Sequence, residues 1–163
     1  MSWGEPMTTA SELLSAHPFL AGIDEQHLER LSYWSRKAVF HAGTRLFNEG
    51  SKADRFWLIR EGEVRLDTRL AGEGEQGHEV FVETIGPGRV LGWSWLFPPY
   101  RWRFGATAIS SVLAMEFDAA GVRGLCDSDP SLGYDLTRRF MSIVTNRLHA
   151  TRMRLLDAHR SPE

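Results

Sequence analysis

The feature that most constrains this chain is a succession of short strand signals, separated by glycines, between residues 35 and 118. Arg45-Leu46-Phe47, Phe56 to Arg60, Val64 to Leu70 and Val80 to Ile85 read as strands. Glycines at 43, 50, 62, 72, 74, 77, 86, 88 and 92 punctuate them. Alternation puts Val64, Leu66, Thr68 and Leu70 on one face of their strand, with Arg65, Asp67 and Arg69 on the other. Leu113, Met115 and Phe117 share one face of a late strand, and Ala71 to His78 reads as a mobile hairpin tip. Short strands at near-regular spacing with glycine turns predict a barrel, here a double-stranded β-helix or jelly roll. The turns need positive φ, expected at Gly43, Gly50 and Gly62.

Helical signals flank this region. Residues 1 to 10 read as a loose tail. A short helix begins at Ser11 with Leu13 and Leu14 on its apolar edge, and His17-Pro18 interrupts it. A second follows, with Asp24 as N-cap and Leu28 and Leu31 at helical spacing. Beyond Asp118 the pattern is helical again. Asp129 as N-cap and Pro130 at the first helical position predict a long helix reaching about His159. It carries two apolar stripes. Leu132, Leu136, Phe140 and Ile143 can pack on the barrel; Met141, Val144, Leu148, Thr151 and Leu155, with Tyr134, follow a heptad seam that can meet a second copy. The competing reading is one broad stripe packed within a single subunit. The expected organisation is a single domain over 1–163: a helical lead (1–34), the barrel (35–118) and C-terminal helices (119–159).

The formal net charge of -2 gives no bulk attraction to nucleic acid or anionic membrane. No apolar run approaches the roughly 20 residues that span a bilayer, and the polar N-terminus is no signal peptide. The lone Cys126 rules out an intrachain disulfide and a cysteine-ligated cluster, and fits a cytoplasmic location. Histidines 17, 27, 41, 78, 149 and 159 are too far apart in sequence to suggest a metal site. With no Gly-x-Ser-x-Gly elbow or P-loop, no catalysis and no cofactor are expected. Arg138, Arg139, Arg147, Arg152, Arg154 and Arg160 read as a solvated helix face. With few residues left before Glu163, no recognition helix and no nucleic-acid binding by this chain alone are expected.

Two runs carry a resemblance: Phe40-His41-Ala42-Gly43-Thr44-Arg45-Leu46-Phe47-Asn48-Glu49-Gly50, and Phe56-Trp57-Leu58-Ile59-Arg60-Glu61-Gly62-Glu63-Val64. Together they resemble the opening of a Crp/Fnr-type cyclic nucleotide-binding domain. Ile85-Gly86-Pro87-Gly88-Arg89-Val90-Leu91-Gly92 is similar to the family's entry into its phosphate-binding cassette, and His17-Pro18-Phe19-Leu20 to its helical lead. The resemblance spans about Ser11 to Ala158. It implies a jelly roll, a dimerising final helix and a ligand held between cassette and long helix. In the family a glutamate after the last cassette glycine accepts from the ribose hydroxyl, an arginine pairs with the phosphate, and a threonine on the long helix meets the base.

This chain departs from that pattern. After Gly92 stands Trp93, an indole that donates and cannot accept. Ser94 is a weaker substitute acceptor, and Trp95-Leu96-Phe97-Pro98-Pro99-Tyr100 is strongly aromatic with two backbone donors removed by proline. Counting forward from Gly92, the phosphate arginine falls on Arg103; counting back from Val112, it falls on Trp102. A one-residue slip in a strand exchanges its faces. Either Arg101 and Arg103 look inward or Trp102 and Phe104 do; the apolar pair is favoured because buried strand faces are seldom cationic. Trp93 and Phe97, at i and i+4, are expected to share a face of a cassette helix. Thr151 matches the base-contacting threonine. Leu91, Gly92, Trp93, Ser94, Trp95, Arg101, Trp102, Arg103, Phe104 and Thr151 are therefore the candidate ligand residues. The resemblance implies a sensing or regulatory module, with weakened cyclic nucleotide binding, a more apolar effector, or a protein partner as the alternatives to a working cAMP or cGMP site.

Overall fold

The computed structural model describes residues 3, 9–70 and 78–160, so most of the expected tail and the hairpin tip at 71–77 lie outside the described residues. Two short helices lead, α1 (Ala10–Ser15) and α2 (Glu25–Tyr33). Thr9 and Asp24 cap them by accepting from Glu12 N–H and Gln26 N–H at 3.2 and 2.8 Å. Eight strands follow: β1 (Ser35–Phe40), β2 (Arg45–Phe47), β3 (Arg55–Glu61), β4 (Val64–Leu70), β5 (His78–Ile85), β6 (Val90–Leu91), β7 (Gly105–Ala108) and β8 (Val112–Asp118). Then come α3 (Ala119–Ser128) and the 30-residue α4 (Pro130–His159), with Asp129 Oδ1 accepting from Leu132 N–H.

The strands form two antiparallel sheets in the orders β1-β8-β3-β6 and β2-β7-β4-β5. The chain crosses between sheets as it goes, which is the expected jelly roll. Gly43, Gly50 and Gly62 take φ of 91°, 84° and 88°. At Gly62 space decides as well as φ: a methyl group there would lie 2.1 Å from the Ser111 carbonyl oxygen.

One alternation reading fails. The β4–β5 register shifts between Leu66 and Asp67, and this bulge changes the phase of the strand. Asp67 is buried, held by Arg45 at 2.6 and 3.0 Å, whereas Leu70 is 51% exposed.

Neighbouring residues on β3 point to opposite faces of the first sheet, and each face has its own aromatic cluster. Phe56 turns toward the helices and stacks on Phe117 at 4.6 Å and on Trp95 at 4.5 Å, with Phe140 of α4 edge-on at 5.6 Å. Trp57 turns into the barrel, within reach of Phe40, Phe47 and Trp102. Its indole N–H donates to Glu116 at 2.9 Å, a buried carboxylate that Arg36 and Arg55 also pair. Arg139 of α4 ties down the helical lead by donating to the carbonyls of Phe19 and Ala21 at 2.8 and 2.9 Å.

Candidate functional site

Between β6 and β7 the chain makes the cassette. Gly92 has φ 99°, and only a three-residue 3₁₀ turn, Ser94–Leu96, follows it. The expected cassette helix is absent. Trp93 is half-buried and Phe97 is 53% exposed, so these two do not meet on one face. Prolines 98 and 99 cannot supply the amide hydrogens that would continue a helix. Trp95, a candidate ligand residue, is fully buried in the helix-side cluster instead. Arg123 of α3 fixes this turn by donating to the Trp95 carbonyl at 2.7 Å and lying 4.3 Å from the Tyr100 ring.

The register of residues 101–104 is set by the segment between β2 and β3. Trp102 N–H donates to Ser51 O at 2.9 Å, Gly50 N–H to Trp102 O at 2.7 Å, and Ala53 N–H to Tyr100 O at 2.7 Å. In this register Trp102 points inward and is 4% exposed. Its indole stacks on Phe47 with centroids 3.9 Å apart and covers Gly92 so closely that a methyl group there would lie 2.7 Å from the ring. Gly92 thus serves the turn and the indole together. Arg101 and Arg103 point outward and are exposed, so the reading that placed them in the pocket is corrected. Arg101 donates to Gly50 O at 3.0 Å. Thr151, the candidate base contact, is also exposed on α4, as are Met141, Leu148 and Leu155 of the seam, with Val144 half-buried.

The structure brings Leu91, Gly92, Trp93, Ser94, Trp102 and Phe104 together around one cleft, closed by Phe47, Leu66 and Arg147. About 20 Å³ is free within it, room for roughly one water molecule. The walls are almost wholly apolar, and the cassette offers no carboxylate to a ribose.

The one charged side chain in this lining came from α4, not from the cassette. The Arg147 guanidinium lies 4.3 Å from the centroid of the Trp93 ring. Its Nε is 3.1 Å from Glu83, without the angle of a hydrogen bond, while Glu83 also pairs with Arg89 at 2.7 Å. Burial pushes the Arg147 guanidinium down to about 10, Glu83 opposing the shift and Arg89 adding to it. It remains a cation at neutral pH. Sequence reading placed Arg147 on a solvated face. The available signal was its position four residues after Ile143 and seven after Phe140, on the core stripe.

Elsewhere, burial, with help from Asp127 and Asp129, pushes the Cys126 thiol up to about 11. Among the described residues no group of three His, Cys, Asp or Glu side chains could hold a metal, and no helix is long and apolar enough to cross a membrane.

Known proteins share this fold. The crystal structure of a Geobacter metallireducens GS-15 protein superposes with a TM-score of 0.75 at 27% identity, over 87% of this chain and 100% of that one. A cyclic nucleotide-binding domain from Methylobacillus flagellatus KT has the same fold, with a TM-score of 0.72 at 17% identity over 85% of this chain and 76% of that one. A CRP-like cAMP-activated global transcriptional regulator of Mycobacterium tuberculosis is 25% identical over 146 residues, 90% of this chain. The chain spans 62% of that relative's length. The family model for the cyclic nucleotide-binding domain matches residues 37–129, which hold the barrel, the cassette and α3, and the chain belongs to that family.

Proposed function

We propose that this chain is a non-catalytic regulatory module whose cyclic nucleotide binding is weakened or lost. The observation that carries the reading is Trp102, stacked on Phe47 and pressed on Gly92, at the position that the count back from Val112 gives to the family's phosphate-binding arginine. Three effects act in one direction. The indole fills space a phosphate would need. Trp93 supplies no acceptor for a ribose hydroxyl, and a buried hydroxyl left unpaired costs about 1–3 kcal/mol. The phosphate loses a charge-assisted partner, since Arg101 and Arg103 are outside. Each 1.4 kcal/mol or so is a factor of ten in affinity, so the expected loss is several powers of ten. The alternative, cAMP or cGMP bound through Arg103 and Thr151, requires both exposed residues to turn into a cleft with room for about one water molecule. Titration calorimetry with cAMP and cGMP tests the reading: no one-to-one isotherm is expected at micromolar concentration, and a micromolar isotherm for either refutes it.

The partner that best fits α4 is a second copy. Met141, Leu148 and Leu155 repeat every seven residues and are 54%, 60% and 57% exposed, a seam the single chain leaves uncovered. This supports a homodimer that acts through protein interaction. Leu148→Glu places like charges opposite one another at the centre of that seam. Light scattering at tens of micromolar (roughly where modest interfaces assemble) is expected to show a wild-type dimer and a monomeric variant; a monomeric wild type refutes the seam.

A further inference from the structure

Three neighbouring strands carry a second group of charges on the barrel-side face of the first sheet. β8 lies between β1 and β3. The register sets Arg36 of β1 and Trp57 of β3 on either side of Glu116, and Arg55 of β3 opposite Asp118. Directly opposed residues, and residues two apart on one strand, share a face, so these five side chains stand together. Glu116 is buried and fully engaged. One of its oxygens accepts from the Trp57 indole at 2.9 Å, and the other accepts from both Arg36 Nε and Arg55 Nη1. That single oxygen holds the two guanidiniums side by side.

The arginines are not used up by this anchor. Among the described residues each makes only that one hydrogen bond, although a guanidinium carries five N–H donors. Their side chains are 66% and 43% exposed, so the remaining donors are open. Beside them, Asp118 occupies the N-cap position of α3, yet its carboxylate makes no capping bond and pairs with no base among the described residues. A cavity of about 260 Å³ is lined by Arg36, Arg55, Glu116 and Asp118, the volume of roughly nine water molecules. Tyr33 and Trp34 complete its wall, set edge to face at 5.2 Å. Trp34 is wedged on α3, where a methyl group at Gly121 would lie 2.1 Å from the indole, whereas Tyr33 is 80% exposed. The cavity shares no residue with the cassette cleft.

Each part of this lining answers a different part of one kind of molecule. Two adjacent guanidiniums suit a carboxylate. An unpaired carboxylate next to them suits an ammonium group. An exposed phenol beside a fixed indole suits a flat apolar ring. The charges of the lining cancel, two arginines against two carboxylates, which disfavours a highly charged anion and fits a neutral zwitterion. We propose that this cavity binds a small zwitterion of the aromatic α-amino-acid kind. Its carboxylate lies on Arg36 and Arg55, its ammonium on Asp118 and its ring against Tyr33 and Trp34. Glu116 and Trp57 act behind the site by holding the arginines in place.

Titration calorimetry on the full-length protein tests this with L-phenylalanine, L-tryptophan, 3-phenylpropionate, which lacks the ammonium, and phenethylamine, which lacks the carboxylate. At least one of the amino acids is expected to bind one-to-one at about 1 mM or tighter, the range open to a ligand of this size. The two truncated probes are expected to bind about tenfold more weakly, each having lost one charged partner. Asp118→Asn is expected to weaken the amino acid about tenfold and to leave 3-phenylpropionate unchanged, while Arg36→Gln weakens both. Thermal melting shows whether each variant folds; if Arg36→Gln does not, the probes and Asp118→Asn decide alone. Absence of saturable binding by either amino acid up to about 10 mM overturns the proposal. So does a truncated probe that binds as tightly as the amino acid, or Asp118→Asn binding the amino acid like the wild type. A micromolar cAMP isotherm would refute the functional reading above and leave these outcomes untouched.

Discussion

The two faces of the first sheet carry aromatic clusters built from the same residue types, and they do different things. On the helix side, Phe56, Trp95, Phe117 and Phe140 are all at most 2% exposed and are drawn from two strands, the cassette turn and α4. On the barrel side, Trp57, Phe47 and Trp102 are nearly as well buried, but their stack ends at a cleft edged by the half-buried Trp93 and Phe104. The helix-side cluster is closed by elements packed on it. The barrel-side cluster is closed by Trp102 on one flank and by Arg147 on the other. Aromatic content alone therefore does not separate core from candidate site; what separates them is whether the last layer is packed secondary structure or individual side chains.

Trp95→Ala should be the costliest way to probe this contrast. The ring is fully buried against the Phe56 and Phe140 rings, and truncations of this kind cost about 3–5 kcal/mol. Trp102→Ala removes as large a ring, but the space joins a cleft that water can enter, so the expected cost is at the lower end, about 3 kcal/mol or less. Denaturant titrations of both variants settle the order. Equal losses would mean that the barrel cluster is as closed as the helix-side one. A larger loss for Trp102→Ala would reverse the assignment of core and site.

A smaller effect sharpens the helix side. His17 is buried, with Nε2 2.9 Å from the Ile59 carbonyl oxygen and Nδ1 accepting from Phe19 N–H at 3.2 Å. Both nitrogens are satisfied only in the neutral Nε2–H form. Burial lowers the His17 pKa below the ordinary 6.5, the Ile59 bond opposing the shift. As pH falls through about 6.5 the unfolded chain takes the proton first. The stability this residue contributes is thus complete above that pH and declines as pH falls further toward the folded value. Melting curves from pH 7.5 to 5 should show a fall that His17→Gln flattens; an identical pH dependence in both proteins would remove His17 from the account.

Much of the strand content was legible because period-two alternation and glycine turns are local properties. β3, β4 and β8 fall within about a residue of where the pattern put them, and Asp129-Pro130 marked the start of α4 correctly. The bulge at Leu66 and Asp67 was not legible, because the alternation Val64 to Leu70 reads without a break. Asp67 is buried because Arg45, 22 residues earlier in sequence, reaches it.

The candidate site divides along the same line. The sequence by itself determined that the cassette lacks the family's glutamate after its last glycine, since Trp93 follows Gly92 whatever the fold does with it. It also determined that residues 93–104 hold more aromatic rings than the surface can carry. Which of them turns inward was decided by tertiary structure alone. Arg101 to Phe104 can be read in either phase, and hydrogen bonds to residues 50, 51 and 53, some fifty residues away in the chain, choose the phase with Trp102 inside. The same holds for Arg147. Its place on the core stripe was readable, but the ring and the carboxylate that receive it come from the cassette and from β5, and only the packing of α4 on the barrel brings the three together.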